Sequence, residues 1–255
     1  MPADSVVGIA LLHPELLGTY GDGGNALVLA QRLRWRGVEA EVLPVHAGEP
    51  VPSSCELYVL GGGEDAPQAL AAAELGDGAL ARAVDRGAVV FAVCAGFQIL
   101  GHEFLIAEGP RPGLGLLDCT TVRRAPRRAV GELVVEPDAR LGLTTLTGYE
   151  NHAGLTELGP DVRPLGRVMA GAGNAGDGRE GAVVGRVVGT YLHGPALARN
   201  PALADLLLSW VMGRELAPVD DGDVERLRHE RLAAALGRRA RLRGWRRRVA
   251  IPVTR

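Results

Sequence analysis

Cys94 is the residue whose setting most favours chemistry. It ends an unbroken apolar run, residues 88–93, and is followed at once by Ala95 and Gly96 and then by Phe97-Gln-Ile-Leu. The run is rich in β-branched residues and reads as a strand buried on both faces of a parallel sheet, with a helix opening after it. Small residues between the two permit an abrupt turn. Such a turn lifts the sulfur above the sheet edge and aims the next backbone N–H groups beside it, a nucleophile elbow with a thiol in place of the hydroxyl. A helix N-terminus beneath the sulfur favours the thiolate. Free cysteines are also among the most buried residues, and most do no chemistry, so this stretch alone leaves both readings open.

A thiol nucleophile needs an imidazole to take its proton and return it to the leaving group. Six histidines are available. His193, in Thr190-Tyr-Leu-His-Gly-Pro195, ends an apolar strand and is turned by Gly-Pro, which places it at the same sheet edge as Cys94. His152, in Gly148-Tyr-Glu-Asn-His-Ala-Gly154, is the other histidine of interest. His13, His46, His102 and His229 lie near a strand end, in a loop, on the helix after the elbow and in an arginine-rich tail.

The elements that must carry these residues alternate. Residues 6–12 read as a strand leading into a glycine-dense loop, Leu17-Gly-Thr-Tyr-Gly-Asp-Gly-Gly-Asn25, with Asp22 and Asn25 as polar handles. A helix over 26–36, strands over 39–45 and 57–60, a Gly61-Gly-Gly-Glu-Asp65 loop and a helix over 66–86 precede the central strand. This α/β alternation predicts a parallel sheet, and ligands of such sheets sit outside the strands' carboxyl ends. The loops at 21–25 and 61–65 should therefore converge on Cys94. From 110 to about 186, short β-like runs (131–136, 143–146, 183–188) separated by turns suggest antiparallel strands. The stretch 170–178 reads as an exposed, mobile loop. A helix over 200–212 is expected to start with Asn200 as its cap and Pro201 at the first position. The chain divides into a catalytic unit over 1–215 and a helical, basic extension over 216–255. Seven arginines fall between Arg238 and Arg248, a solvated helix or a docking surface for a partner or an acidic membrane.

Composition narrows the function. A chain of 255 residues with 47% hydrophobic content can bury a sizeable single core, and a formal charge of −2 gives no reason to expect nucleic acid. Three cysteines without paired spacing fit a reducing cytoplasm and argue against a disulfide framework or a zinc site. The apolar run at 6–12 is too short to span a bilayer, so a soluble, cytoplasmic protein is expected. All 28 basic residues are arginine. Without lysine, a Walker A phosphate grip, a pyridoxal Schiff base and a biotinyl or lipoyl carrier are excluded. No metal and no cofactor is expected.

Taken together, the motifs resemble those of the class I (triad-type) glutamine amidotransferases. Cys94-Ala-Gly-Phe-Gln98 is similar to their Cys-x-Gly-x-Gln elbow, Leu60-Gly-Gly-Gly63 to their oxyanion loop, and His193 to their strand-end histidine. Gly148-Tyr-Glu-Asn-His152 and Tyr191-Leu-His-Gly-Pro195 resemble the cobyric-acid-synthase branch. Tyr20-Gly-Asp-Gly-Gly-Asn25 and Arg128-Ala-Val-Gly131 resemble the stand-alone glutaminase subunits of lipid II isoglutaminyl synthases. The likeness covers about residues 6–213. It implies a flavodoxin-like domain of mostly parallel sheet flanked by helices, Cys94 and His193 as catalytic pair, and hydrolysis of L-glutamine. It also implies an oxyanion site at Ala95 and the Gly62 region, and Gln98 and Arg128 against substrate, with Arg127 the competitor of Arg128 for the substrate carboxylate. Ammonia would pass to a separate, ATP-using partner resembling the Mur ligases, which amidates the D-glutamate α-carboxyl of lipid II. A corrinoid carboxylate is the alternative acceptor, and a silent binding module on the same fold the alternative class. One departure stands out: the acid usual two residues after the histidine is here Pro195. The orienter is then absent (a working dyad), a distant acid such as Glu150, or an acid from the partner.

Overall fold

The computed structural model describes residues 6–249, with side chains described for all of these but 123–126 and 238–249. The arginine run between Arg238 and Arg248 thus lies outside the described side chains.

The first of two sheets holds strands β1 (Val7–Leu12), β2 (Ala40–Val45), β3 (Leu57–Leu60), β4 (Val89–Val93), β11 (Ala182–Val184) and β12 (Val187–Thr190), in the order β11-β12-β4-β3-β1-β2. All neighbours are parallel except the hairpin of β11 with β12. Successive side chains of a strand face opposite sides. Every residue of β3, β4 and β12 is buried, so both faces of the sheet centre are covered. The apolar run before Cys94 is therefore central because its sequence can tolerate no solvent on either side. Helices α1 (Gly24–Arg34), α5 (Ala196–Arg199) and α6 (Pro201–Met212) pack on one another, as do α2 (Asp65–Leu75) and α4 (Ala95–Leu100).

The second sheet is largely antiparallel: β5 (Glu103–Ile106), β6 (Gly109–Pro112), β7 (Cys119–Pro137), β9 (Gly166–Ala170) and β10 (Arg179–Glu180), with β8 (Leu146–Leu158) paired to β7. The runs expected at 131–136 and 143–146 differ from what is observed. The first is part of the much longer β7, and strand structure on β8 starts only at Leu146. The helix expected over 66–86 is two helices, because Gly78 adopts a left-handed φ of 77° before α3 (Ala79–Asp85). Asn200 does not cap α6 with its side chain. It bonds instead to both the N–H and the carbonyl of Thr147 at 2.8 Å, tying α6 to β8.

The stretch at 170–178 is not loose. Asn174 is fully buried and pairs with the N–H and carbonyl of Gly181 at 2.7 and 2.9 Å, while Glu150 accepts from Ala172 and Gly173. Glycine density marked a turn, but the polar side chains around it settle its order.

Helix α7 (Gly222–Val249) lies against β7, β8 and β9, with Leu232 and Ala235 on Val134 and Ala170. Its approach is anchored by Arg32 of α1, 3% exposed. That guanidinium makes a two-pronged contact to Asp205 of α6, both bonds 2.7 Å, and another to Asp221 just before α7 at 2.7 and 2.8 Å. Removing one partner of a buried ion pair strands the others. Arg32→Met is expected to lower unfolding free energy by about 2–3 kcal/mol, since both acids retain some exposure. Urea titration at unchanged m-value checks this; a loss under about 0.5 kcal/mol would show the cluster to be merely superficial.

Candidate active site

Cys94 sits between β4 and α4 with φ 53° and ψ −107°, a backbone conformation that non-glycine residues rarely adopt. Neighbours hold it there. Its N–H donates to the Thr190 carbonyl at 2.8 Å, and Gly96 N–H donates to the Gly61 carbonyl at 3.1 Å. A Cβ on Gly96 would stand 2.7 Å from the Leu60 Cβ, so only glycine lets the turn close this tightly against β3. The elbow legible in the sequence is the elbow observed.

His193 lies beside it at 2% exposure. The neighbouring strands β12 and β4 end together, Thr190 opposite Val93, which brings the histidine to the sulfur from 99 residues further along the chain. Its Nδ1 is 2.9 Å from Oδ2 of Asp22, a fully buried carboxylate in the loop after β1. Its Nε2 is buried and makes no hydrogen bond among the described residues, although Cys94 is close enough to influence the ring. Burial works against the imidazolium. The hydrogen bond that Nδ1–H donates to Asp22 and the contact with Cys94 outweigh it and push the His193 pKa up to about 9. Burial pushes the other two thiols up, Cys55 to about 11 and Cys119 to about 12.

The carboxylate that meets His193 is therefore Asp22, and not Glu150. Asp22 had been visible in the sequence only as a polar handle, and it is 171 residues from the histidine it holds. Glu150 is committed elsewhere: to Ala172 and Gly173 N–H at 2.7 and 3.0 Å, and toward His152 Nε2 at 3.5 Å. His152 itself stacks on Tyr191, ring centres 3.8 Å apart, and does not meet His193.

Gly62 plays a different part from the one the sequence suggested. Its N–H donates to Asp22 Oδ2 at 3.0 Å and so is already used. A Cβ there would stand 2.8 Å from His193 Cε1 and 3.1 Å from Asp22 Oδ2. Glycine is needed because the imidazole and its carboxylate press directly on the loop backbone. The next residue, Gly63, lines the cleft in front of Cys94 together with Ala95.

That cleft, of about 40 Å³, is also bordered by Gln98, Arg128 and His152. Gln98 takes a bond from Gln68 at 2.8 Å and gives one to the Tyr191 hydroxyl at 2.9 Å, which fixes its amide. Arg128 is exposed. It reaches Asn151 Oδ1 through Nε at 2.5 Å and the Tyr20 hydroxyl through Nη2 at 3.0 Å. Tyr20 in turn donates to Glu64 at 2.9 Å and sets its ring edge-on to His193, centres 4.9 Å apart. Arg127 does not border the cleft. The arrangement can deprotonate a thiol, hold an imidazolium and present an arginine to a carboxylate.

Residues 8–201 match the CobB/CobQ-like glutamine amidotransferase domain family. The chain is 34% identical over 216 residues to the lipid II isoglutaminyl synthase (glutamine-hydrolysing) subunit GatD of Staphylococcus aureus, spanning 83% of this chain and 86% of that one. Against the GatD subunit of Streptococcus pneumoniae it is 33% identical over 213 residues, 81% of each chain. The solved PurLQS of Thermotoga maritima superposes with a TM-score of 0.55 at 18% identity, over 81% of this chain and 98% of that chain, a likeness of fold alone. On the match across residues 8–201 and the identity to relatives over most of their length, this chain belongs to the CobB/CobQ-like glutamine amidotransferase domain family.

Proposed function

We propose that this chain hydrolyses L-glutamine to glutamate and passes the ammonia to a separate ATP-dependent ligase, resembling the Mur ligases, that amidates the D-glutamate α-carboxyl of lipid II. The observation that carries the hydrolysis is the line Cys94, His193, Asp22 at one sheet edge, with Arg128 across the cleft. The acceptor rests on the two GatD relatives.

In this reading the Cys94 thiolate adds to the carboxamide carbon of glutamine. Backbone N–H groups of Ala95 and Gly63 hold the oxyanion, a contribution of a few kcal/mol per donor in comparable sites. The His193 imidazolium gives its proton to the departing amine, releasing ammonia and leaving a γ-glutamyl thioester. Water then attacks the thioester, His193 takes the water's proton, and glutamate leaves as the thiol re-forms. Asp22 keeps Nδ1–H pointed away from the sulfur throughout, so that Nε2 does the work. Arg128 grips the substrate α-carboxylate with the guanidinium edge not already spent on Asn151 and Tyr20. ATP belongs to the partner, since this chain holds no lysine for a P-loop. We read residues 1–215 as the amidotransferase unit and 216–255 as an extension of it. No helix among the described residues is long and apolar enough to cross a membrane.

The direct test is glutamate release from glutamine, with and without the candidate ligase. Wild-type protein should release glutamate and Cys94→Ala should release none; release that survives the substitution would refute the mechanism. Gly62→Ala, by displacing the imidazole a fraction of an ångström, is expected to cut kcat by about 10- to 100-fold while the melting temperature holds. Unchanged kcat would mean that the close approach has no functional weight.

The raised His193 pKa also sets a pH dependence of stability. Its folded value of about 9 exceeds an unfolded value of about 6.5. The stabilisation is thus fully present below pH 6.5 and lost as pH rises through 9. Wild type should melt above Asp22→Asn at pH 6, with the gap narrowing by pH 9.5. A gap independent of pH would dissociate the shift from the Asp22 contact.

A further inference from the structure

Between the end of β12 and His193 the chain leaves the sheet, yet each backbone N–H on it finds an acceptor. Tyr191 N–H donates to Glu180 Oε1 at 2.7 Å, Leu192 N–H to the Thr190 hydroxyl oxygen at 3.0 Å, and His193 N–H to the Tyr149 carbonyl at 2.8 Å. The Thr190 hydroxyl in turn donates to the same Glu180 oxygen at 3.0 Å. One carboxylate oxygen therefore holds two of the bonds that shape this segment and orients the hydroxyl that holds a third. Thr190 is also the residue whose carbonyl receives Cys94 N–H. The grip of Glu180 thus falls where the elbow and the histidine segment join.

Glu180 is fully buried, and its Oε2 has no hydrogen-bond partner among the described residues. A carboxyl group so placed is costly, and a neutral side chain could accept the same bonds at less cost. Burial pushes its pKa up to about 7, against the pull of the Tyr191 N–H and the Thr190 hydroxyl and with a further push from the charge of Glu150. The chain delivers it with care. Gly181 turns at φ 63°, with room for no Cβ beside the Gly189 carbonyl 2.6 Å away, and Asn174 clasps Gly181 from both sides.

We propose that Glu180 is a positioning residue for His193. By fixing the backbone from Thr190 to Leu192 it sets where the imidazole stands relative to Cys94. Through Tyr191, whose hydroxyl meets Gln98 and Thr156, it also steadies the Gln98 wall of the cleft. This rests on the reading of His193 as the proton carrier in glutamine hydrolysis.

Two variants test it, each followed by glutamine turnover and by the proton NMR resonance of the His193 Nδ1–H that bonds Asp22, assigned by its loss in His193→Gln. Glu180→Gln keeps an oxygen able to accept both bonds and should retain kcat within about threefold, with the resonance in place. Glu180→Asp draws the acceptor back by one methylene and should lower kcat by about 10- to 100-fold at nearly unchanged KM, with the resonance shifted or broadened. An Asp variant with wild-type kcat and an unmoved resonance would overturn the proposal. So would a Gln variant as impaired as the Asp one, since charge and not the accepted bonds would then be what matters. If wild type itself turns over no glutamine, the glutaminase reading has failed, and the resonance alone decides the role of Glu180.

Discussion

The left-handed backbone of Cys94 is the constraint on which the site depends. A non-glycine residue at φ 53° and ψ −107° costs of order 1–3 kcal/mol and persists only where its surroundings over-determine it. Here both neighbouring strands do so. β12 accepts the Cys94 N–H through Thr190, and β3 accepts the Gly96 N–H through Gly61, while Gly96 lets the turn sit on Leu60. Cys94 borders the cleft because the sheet around it is not free to relax.

The same four strand ends distribute the chemistry. In the order β12, β4, β3, β1 they lead to His193, Cys94, Gly62 and Asp22, one contributor from each of four adjacent strands. Parallel strands with matched registers finish at one edge, and with the loop between β1 and α1 this brings residues up to 171 positions apart within hydrogen-bonding distance. The antiparallel sheet supplies what lies across the cleft: Arg128 from β7, and Asn151 and His152 from β8. In the proposed reaction the reacting groups come from the parallel sheet and the substrate-facing arginine from the second sheet.

What was legible in the sequence was local. The apolar run into Cys94 and the Gly-Pro after His193 each describe their own turn, and the α/β alternation predicts that both lie at one edge. The histidine's partner was not legible, because pairing Asp22 with His193 requires knowing that β1 lies two strands from β4. Glu150 was a reasonable candidate by type and by its nearness to Tyr149, whose backbone does bridge His193. The Glu150 carboxylate, however, is taken up by the Ala172 and Gly173 N–H groups, contacts from a segment more than 20 residues away. The order of the 170–178 stretch was hidden for a related reason: its glycines are local, while the Asn174 and Glu150 contacts that pin it are not.

The central claim is that Asp22, through His193, makes Cys94 the reactive thiol of this chain. The most direct measurement is the rate of iodoacetamide alkylation at each cysteine across pH 5 to 10, in wild type and in Asp22→Asn, read by peptide mass. The account predicts that near neutral pH Cys94 reacts at least about 100-fold faster than Cys55 and Cys119, and that Asp22→Asn removes most of that advantage. Equal rates at the three cysteines, or a Cys94 rate untouched by the loss of Asp22, would contradict it.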